Sequence, residues 1–101
     1  MANQPLLLAA FSDPTRREIL DKLRAGPRAV GEIAAGMPIS RPAVSQHLKV
    51  LKDSGLVTET RAGTRHYFAI APEAIGELRA YLDGLWSDAL AAFARHAEGK
   101  R

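Results

Sequence analysis

The sequence predicts a mainly α-helical domain with one small β-hairpin, and three observations predict it. Apolar residues recur at helical spacing in several separate segments. Proline and glycine stand where those segments begin and end. One stretch only, Leu56 to Ala71, switches to β-branched and aromatic residues around a glycine. A chain of 101 residues that is 47% hydrophobic suffices for one small core. It is therefore read as a single domain over residues 1–101, with terminal helices at about 4–12 and 73–98.

The first helix carries Leu6, Leu7, Leu8 and Phe11 and ends near Ser12. It is too short to stand alone and must pack on something else. Asp13 then caps a second helix, with Pro14 at its first position. Ile19, Leu20 and Leu23 supply its apolar face, and Gly26-Pro27 ends it. Arg16 and Arg17 near its start are read as solvated residues or members of a local salt bridge, in preference to phosphate contacts. A third helix, about Ala29 to Ala35, turns Val30, Ile33 and Ala34 inward and stops at Gly36. Met37-Pro38-Ile39 makes a tight turn into Ser40.

Ser40 opens the stretch around which the chain is organised, SRPAVSQHLKVLK. Its hydroxyl can accept an amide of the first helical turn, and Pro42 sits where a missing N–H costs nothing. Val44, Leu48 and Leu51 form one buried stripe. Pro42, Ser45, Gln46 and Lys49 share the opposite face, which has no carboxylate before Asp53. A short helix, a tight turn and a polar-faced helix make a helix-turn-helix. The exposed face offers hydrogen-bonding groups and positive charge, which suits the major groove of DNA. The plainer reading of the same helix is an ordinary amphipathic surface helix.

Gly55 ends this helix. A hairpin follows, about Val57–Arg61 and Arg65–Ala69, turning at Ala62-Gly63. Val57, Phe68 and Ile70 face the core, and Arg61 and Arg65 flank the tip. A hairpin in this place is a wing, whose arginines could touch phosphate or enter a minor groove. The alternative is a solvated arginine pair that protects an edge strand.

The last helix, from Pro72 or Glu73 to about Glu98, repeats Ile75, Leu78, Leu82, Leu85, Trp86, Ala89, Leu90, Phe93 and Ala97 in steps of three and four. At helical rise this stripe is ~39 Å long, more than so small a domain can cover. A homodimer joined through both terminal helices covers it, with Leu7, Phe11, Leu82, Trp86, Leu90 and Phe93 at the interface. A cofactor or lipid pocket lined by Trp86 and Phe93 is the competing idea.

The net charge is +3 and the isoelectric point about 9.7. Much of the excess lies between Ser40 and Arg65, where Arg41, Lys49, Lys52, Arg61 and Arg65 outnumber Asp53 and Glu59. The chain has no cysteine, which excludes disulfides, thiolate metal sites and thiol redox sensing. The first residues do not read as a signal peptide, and no apolar run reaches the ~20 residues of a membrane span. A cytoplasmic protein is expected. No nucleophile–base pair, glycine-rich phosphate loop or paired carboxylates suggest an enzyme.

DPTRREIL, VGEIA, SRPAVSQHLKVLKDSGLV and RAGTRHYFAI together resemble the winged-helix repressors of the ArsR type, over about Leu7 to Ile70. The last helix with Trp86 is similar to one branch of that family. The resemblance implies a dimeric, cytoplasmic, bacterial or archaeal repressor on a palindromic operator of double-stranded DNA. It implies base reading by the Ser40–Lys52 helix and backbone contact by the hairpin. Ser40, Arg41, Pro42, Ser45, Gln46, His47 and Lys49, with Arg61 and Arg65, are the expected DNA-binding residues.

The chain departs from the family's metal-sensing members. The helix at Val30–Ala35 has no cysteine, and Asp83 is followed by Gly84 and Leu85 rather than by a second ligand. His96 with Glu98 makes a poor site, and His47 and His66 read as packed or phosphate-contacting histidines. No metal and no cofactor are expected, and no residue pattern points to an inducer. The remaining alternative is a winged-helix protein-interaction module without DNA binding. Such a module would tend to carry apolar or acidic residues where this chain has Gln46 and Lys49.

Overall fold

The computed structural model describes residues 4–99; the remainder of the expected domain, 1–3 and 100–101, lies outside it. In order, the elements are α1 (Gln4–Phe11), α2 (Pro14–Lys22), β1 (Arg28–Ala29), α3 (Val30–Ala35), α4 (Arg41–Ser54), β2 (Val57–Ala62), β3 (Arg65–Ile70) and α5 (Pro72–Gly99). The strands form one antiparallel sheet in the order β1-β3-β2.

Helix α4 is the centre of the domain. It packs against α1, α2, α3 and β2. Val44, Leu48 and Leu51 are at most 1% exposed and meet Leu7, Ile19 and Ile33 in one core. Burying each such side chain contributes roughly 1.5–3 kcal/mol. Both ends of α4 are closed by local chemistry. Ser40 Oγ accepts the Ala43 N–H at 3.2 Å. At the other end Gly55 takes φ +91°, where a side chain would be strained. Its N–H reaches Lys52 O and that of Leu56 reaches Leu51 O, each at 3.0 Å, a Schellman pair sealed by two fully buried leucines.

The hairpin pairs Val57 with Ile70, Glu59 with Phe68 and Arg61 with His66. Side chains alternate across a strand, so Val57, Glu59 and Arg61 share one face. Val57 is buried and Phe68 and Ile70 pack against the core, as the residue pattern implies. The strands are each one residue longer than expected, and the turn falls at Gly63-Thr64, with Gly63 at φ +64°.

Several expectations need correction. Strand β1 was not expected: Ala29 pairs with Tyr67 instead of starting α3. Two residues carry no periodicity, and their partners lie on a distant strand. Helix α2 stops at Lys22, well before Gly26-Pro27, and the intervening residues turn. In α5 the inward residues of the first turns are Ala74 and Leu78, while Ile75 is 37% exposed. Leu7 was expected at an interface between protomers, yet it is 0% exposed within this one. Its side chain already fills the core beside α4 and cannot also meet a second chain.

Beyond Leu78 helix α5 leaves the domain, and residues 79–99 are exposed throughout. Trp86 is 66% and Phe93 71% exposed.

Candidate nucleic-acid interface

Once Val44, Leu48 and Leu51 are buried, the pitch of α4 settles which side chains face outward. Ser40, Arg41, Pro42, Ser45, Gln46 and Lys49 are all exposed. The Arg41 guanidinium lies over Gly31 of α3, where an added methyl would sit 3.6 Å from Nη1. Lys49 Nζ holds Asp53 Oδ2 at 2.7 Å, one helical turn on. Both partners are largely exposed, and pairs of this kind contribute only ~0.3–0.5 kcal/mol, so Lys49 can be drawn elsewhere at little cost. His47 is set apart from these. It is half-buried and close enough to Asp13, at the start of α2, to act on its carboxyl. That carboxyl is held below the usual range first by the Arg16 N–H it accepts, with Arg16 and His47 adding to the effect.

The wing arginines sit where expected, at the tip, and both are exposed. They are not equivalent. Arg61 is on the Val57–Glu59 face and is registered against His66. Arg65 is registered against Ala62, and hydrogen bonding to Tyr67 raises its already high pKa further, with Glu32 adding to the effect. Between the wing, α3 and α4 lies an open groove of about 670 Å³, lined among others by Val30, Arg41, Ser45, Glu59, His66 and Phe68.

Two arrangements were not visible in the sequence. Arg16 and Arg17 are half-buried, and their guanidinium groups close the C-terminal end of α1. Arg16 donates to Ala10 O at 2.7 Å and Ala9 O at 3.1 Å. Arg17 donates to Phe11 O and Ser12 O and lies 5.9 Å from the Phe11 ring centroid. The carbonyls left over at a helix end accept such donors. The second arrangement is at Glu59, whose two oxygens take Lys52 and His66. Opposite charges on either side of Gly55 were the only hint of it.

Among the described residues, no three His, Asp or Glu side chains come together as a metal set.

A polar, carboxylate-poor helix presented by a short helix and a turn, with a β-hairpin beside it, defines a winged helix-turn-helix of the kind found in transcriptional regulators. Residues 13–59 match the model for bacterial regulatory proteins of the arsR family. Over 86 residues the chain is 50% identical to the HTH-type transcriptional regulator Rv2034 of Mycobacterium tuberculosis, covering 85% of this chain and 80% of that one. It is 43% identical over 61 residues to the transcriptional repressor SdpR of Bacillus subtilis, covering 60% of this chain and 68% of that one. Its fold matches the homodimeric winged helix-turn-helix DNA-binding domain of Mb0332 from Mycobacterium bovis, with a TM-score of 0.68 and 34% identity, over 83% of this chain and 78% of the other. The chain belongs to the ArsR family and is a transcriptional regulator, not an enzyme.

Proposed function

We propose that this regulator is a homodimeric repressor that binds an inverted-repeat operator, with α4 in the major groove and the β2–β3 wing on the backbone or in the minor groove. The observation that carries this reading is the division of α4. Its apolar stripe is sealed in the core, while Arg41, Pro42, Ser45, Gln46 and Lys49 are exposed on the other side. Gln46 can offer its amide donor and acceptor together to an adenine edge, and Lys49 can leave Asp53 for a guanine or a phosphate. Ser40, Ser45 and Arg41 are placed for base or backbone near the start of α4. His47, half-buried beside this face, is assigned to the phosphate side. Arg61 and Arg65 are the wing's cations.

The dimer reading rests on α5 and α1. Leu82, Leu85, Trp86, Leu90 and Phe93 are each at least 50% exposed on one long helix, and Leu6 and Phe11 on α1 are exposed as well. So continuous an apolar face marks an interface, and a second copy supplies the same periodicity. Phe11, Leu82, Trp86, Leu90 and Phe93 are assigned to it. In a two-fold dimer the α4 helices enter successive major grooves about 34 Å apart. No described helix is long and apolar enough to cross a membrane. The cytoplasm, where operator DNA is found, is the proposed location.

Selection of bound fragments from a random DNA pool, with sedimentation of the free protein, tests the reading. An imperfect inverted repeat and a dimer at micromolar concentration are expected. A monomer, or a folded dimer with no preferred sequence at physiological salt, overturns it; the latter result points to a protein-interaction module.

A further inference from the structure

We propose that Glu59 is a positioning residue for DNA reading: it clasps the wing to the recognition helix by holding Lys52 of α4 and His66 of β3 at once. The proposal rests on the operator-binding reading above and deepens it.

The geometry is specific. Lys52 Nζ lies 2.7 Å from Glu59 Oε1, and His66 Nδ1 is hydrogen-bonded to Oε2. One carboxylate thus ties together α4, β2 and β3. Its side chain is only 21% exposed, against 51% for Lys52 and 40% for His66. Charge-assisted hydrogen bonds at a partly sheltered site are stronger than surface ion pairs and less screened by salt. The placement follows from register. Glu59 is two residues on from buried Val57 and opposite Phe68, so its side chain leaves the wing on the face turned toward the core and α4.

A carboxylate lining the groove beside Arg41 and Ser45 is otherwise unfavourable on a face that approaches phosphate. Its charge is offset by the Lys52 ammonium and its second oxygen is taken by His66, so what remains is a fixed spacing between α4 and the hairpin. His66 is registered against Arg61 and adjoins Arg65 in sequence, so the clasp sits just behind both tip cations. A helix and a wing that bind one duplex must keep a fixed separation, because a misplaced contact loses most of its value. Random DNA demands no such match.

Three accounts of Glu59 separate in one experiment, performed on the full-length protein with its selected operator. The affinities of wild type and Glu59→Gln are measured for operator and for random duplex at one salt concentration, corrected for the folded fraction. If Glu59 acts through charge alone, removing it raises both affinities together. If it only supports the fold, neither corrected affinity moves. As a positioning residue it lowers the operator-to-random ratio by about tenfold, with random binding unchanged or improved. Lys52→Met, which breaks the same clasp from the helix side, is expected to lower the ratio as well. The double variant should lose no more than the larger single loss. An unchanged ratio in Glu59→Gln, or losses that simply add in the double variant, overturns the clasp. A wild type that binds DNA without preference overturns the operator reading itself. A wild type with a clear operator and an unchanged variant ratio overturns only the role of Glu59.

Discussion

Helices α4 and α5 carry the same kind of apolar periodicity and meet opposite fates. The stripe of α4 is at most 1% exposed, whereas five large apolar residues of α5 between Leu82 and Phe93 are 50–71% exposed. Periodicity therefore identifies the face a helix must cover, but not which chain covers it. Covering α4 took α1, α2, α3 and β2, all within reach along a short chain. After Leu78 helix α5 has outrun its own domain, so its stripe has only another molecule to meet.

Substituting one leucine on each helix gives the sharpest break between them. Leu48→Ala should destabilise the protein by about 2–5 kcal/mol at every protein concentration, read from urea unfolding midpoints. Leu90 is 50% exposed in the protomer, so the effect of Leu90→Ala should fade as the protein is diluted. Leu90→Asp should shift sedimentation to the monomer while leaving helical circular dichroism intact. A Leu90→Asp protein that still sediments as a dimer would remove α5 from the interface and end the contrast.

The outer face of α4 is expected to show a smaller effect. Gln46→Ala should cost about 1–3 kcal/mol on the operator and little on random DNA. Arg65→Ala at the wing should weaken both alike and lower the salt slope by about one ion. Equal losses on both DNAs for Gln46→Ala would move base reading to another residue.

The smallest expected effect concerns acid. Lys52, and then His66, hold the Glu59 carboxyl below its ordinary range. Folding therefore favours the ionised form. The stabilisation is complete above the unfolded value of ~4.3 and disappears as pH falls through the lower folded value. The gap in unfolding midpoint between wild type and Glu59→Gln should close as pH falls from 5 toward 3. A gap that widens with acid would contradict the pairing.

What was legible in the sequence is what local rules govern. Ser40, Pro42 and Gly55 bound α4 through contacts within a few residues, and Val44, Leu48 and Leu51 follow from pitch alone. The wing was legible from β-branched and aromatic residues around Gly63. Features joining distant segments were not. Strand β1 exists because Arg28 and Ala29 meet Phe68 and Tyr67. Leu7 resembles Leu6 in sequence, yet one is buried and the other 54% exposed, because only the packing of α1 on α4 distinguishes them. Lys52 and Glu59 meet only after the chain reverses at Gly55.

The guanidinium caps on α1 have a consequence for assembly. An eight-residue helix is marginal by itself and would ordinarily firm up only against its partner. Here Arg16 and Arg17 grip its final carbonyls, and Arg17 also rests near the Phe11 ring. The shape that α1 would offer to a second molecule in the proposed dimer is thus set in the free protomer. In the proposed dimer little ordering entropy would remain to be lost at encounter, so association through α1 would be closer to lock-and-key than to folding upon binding. Lysine at position 16 would keep the charge but lose the planar fork whose Nε and Nη2 span two carbonyls, and that readiness would go with it.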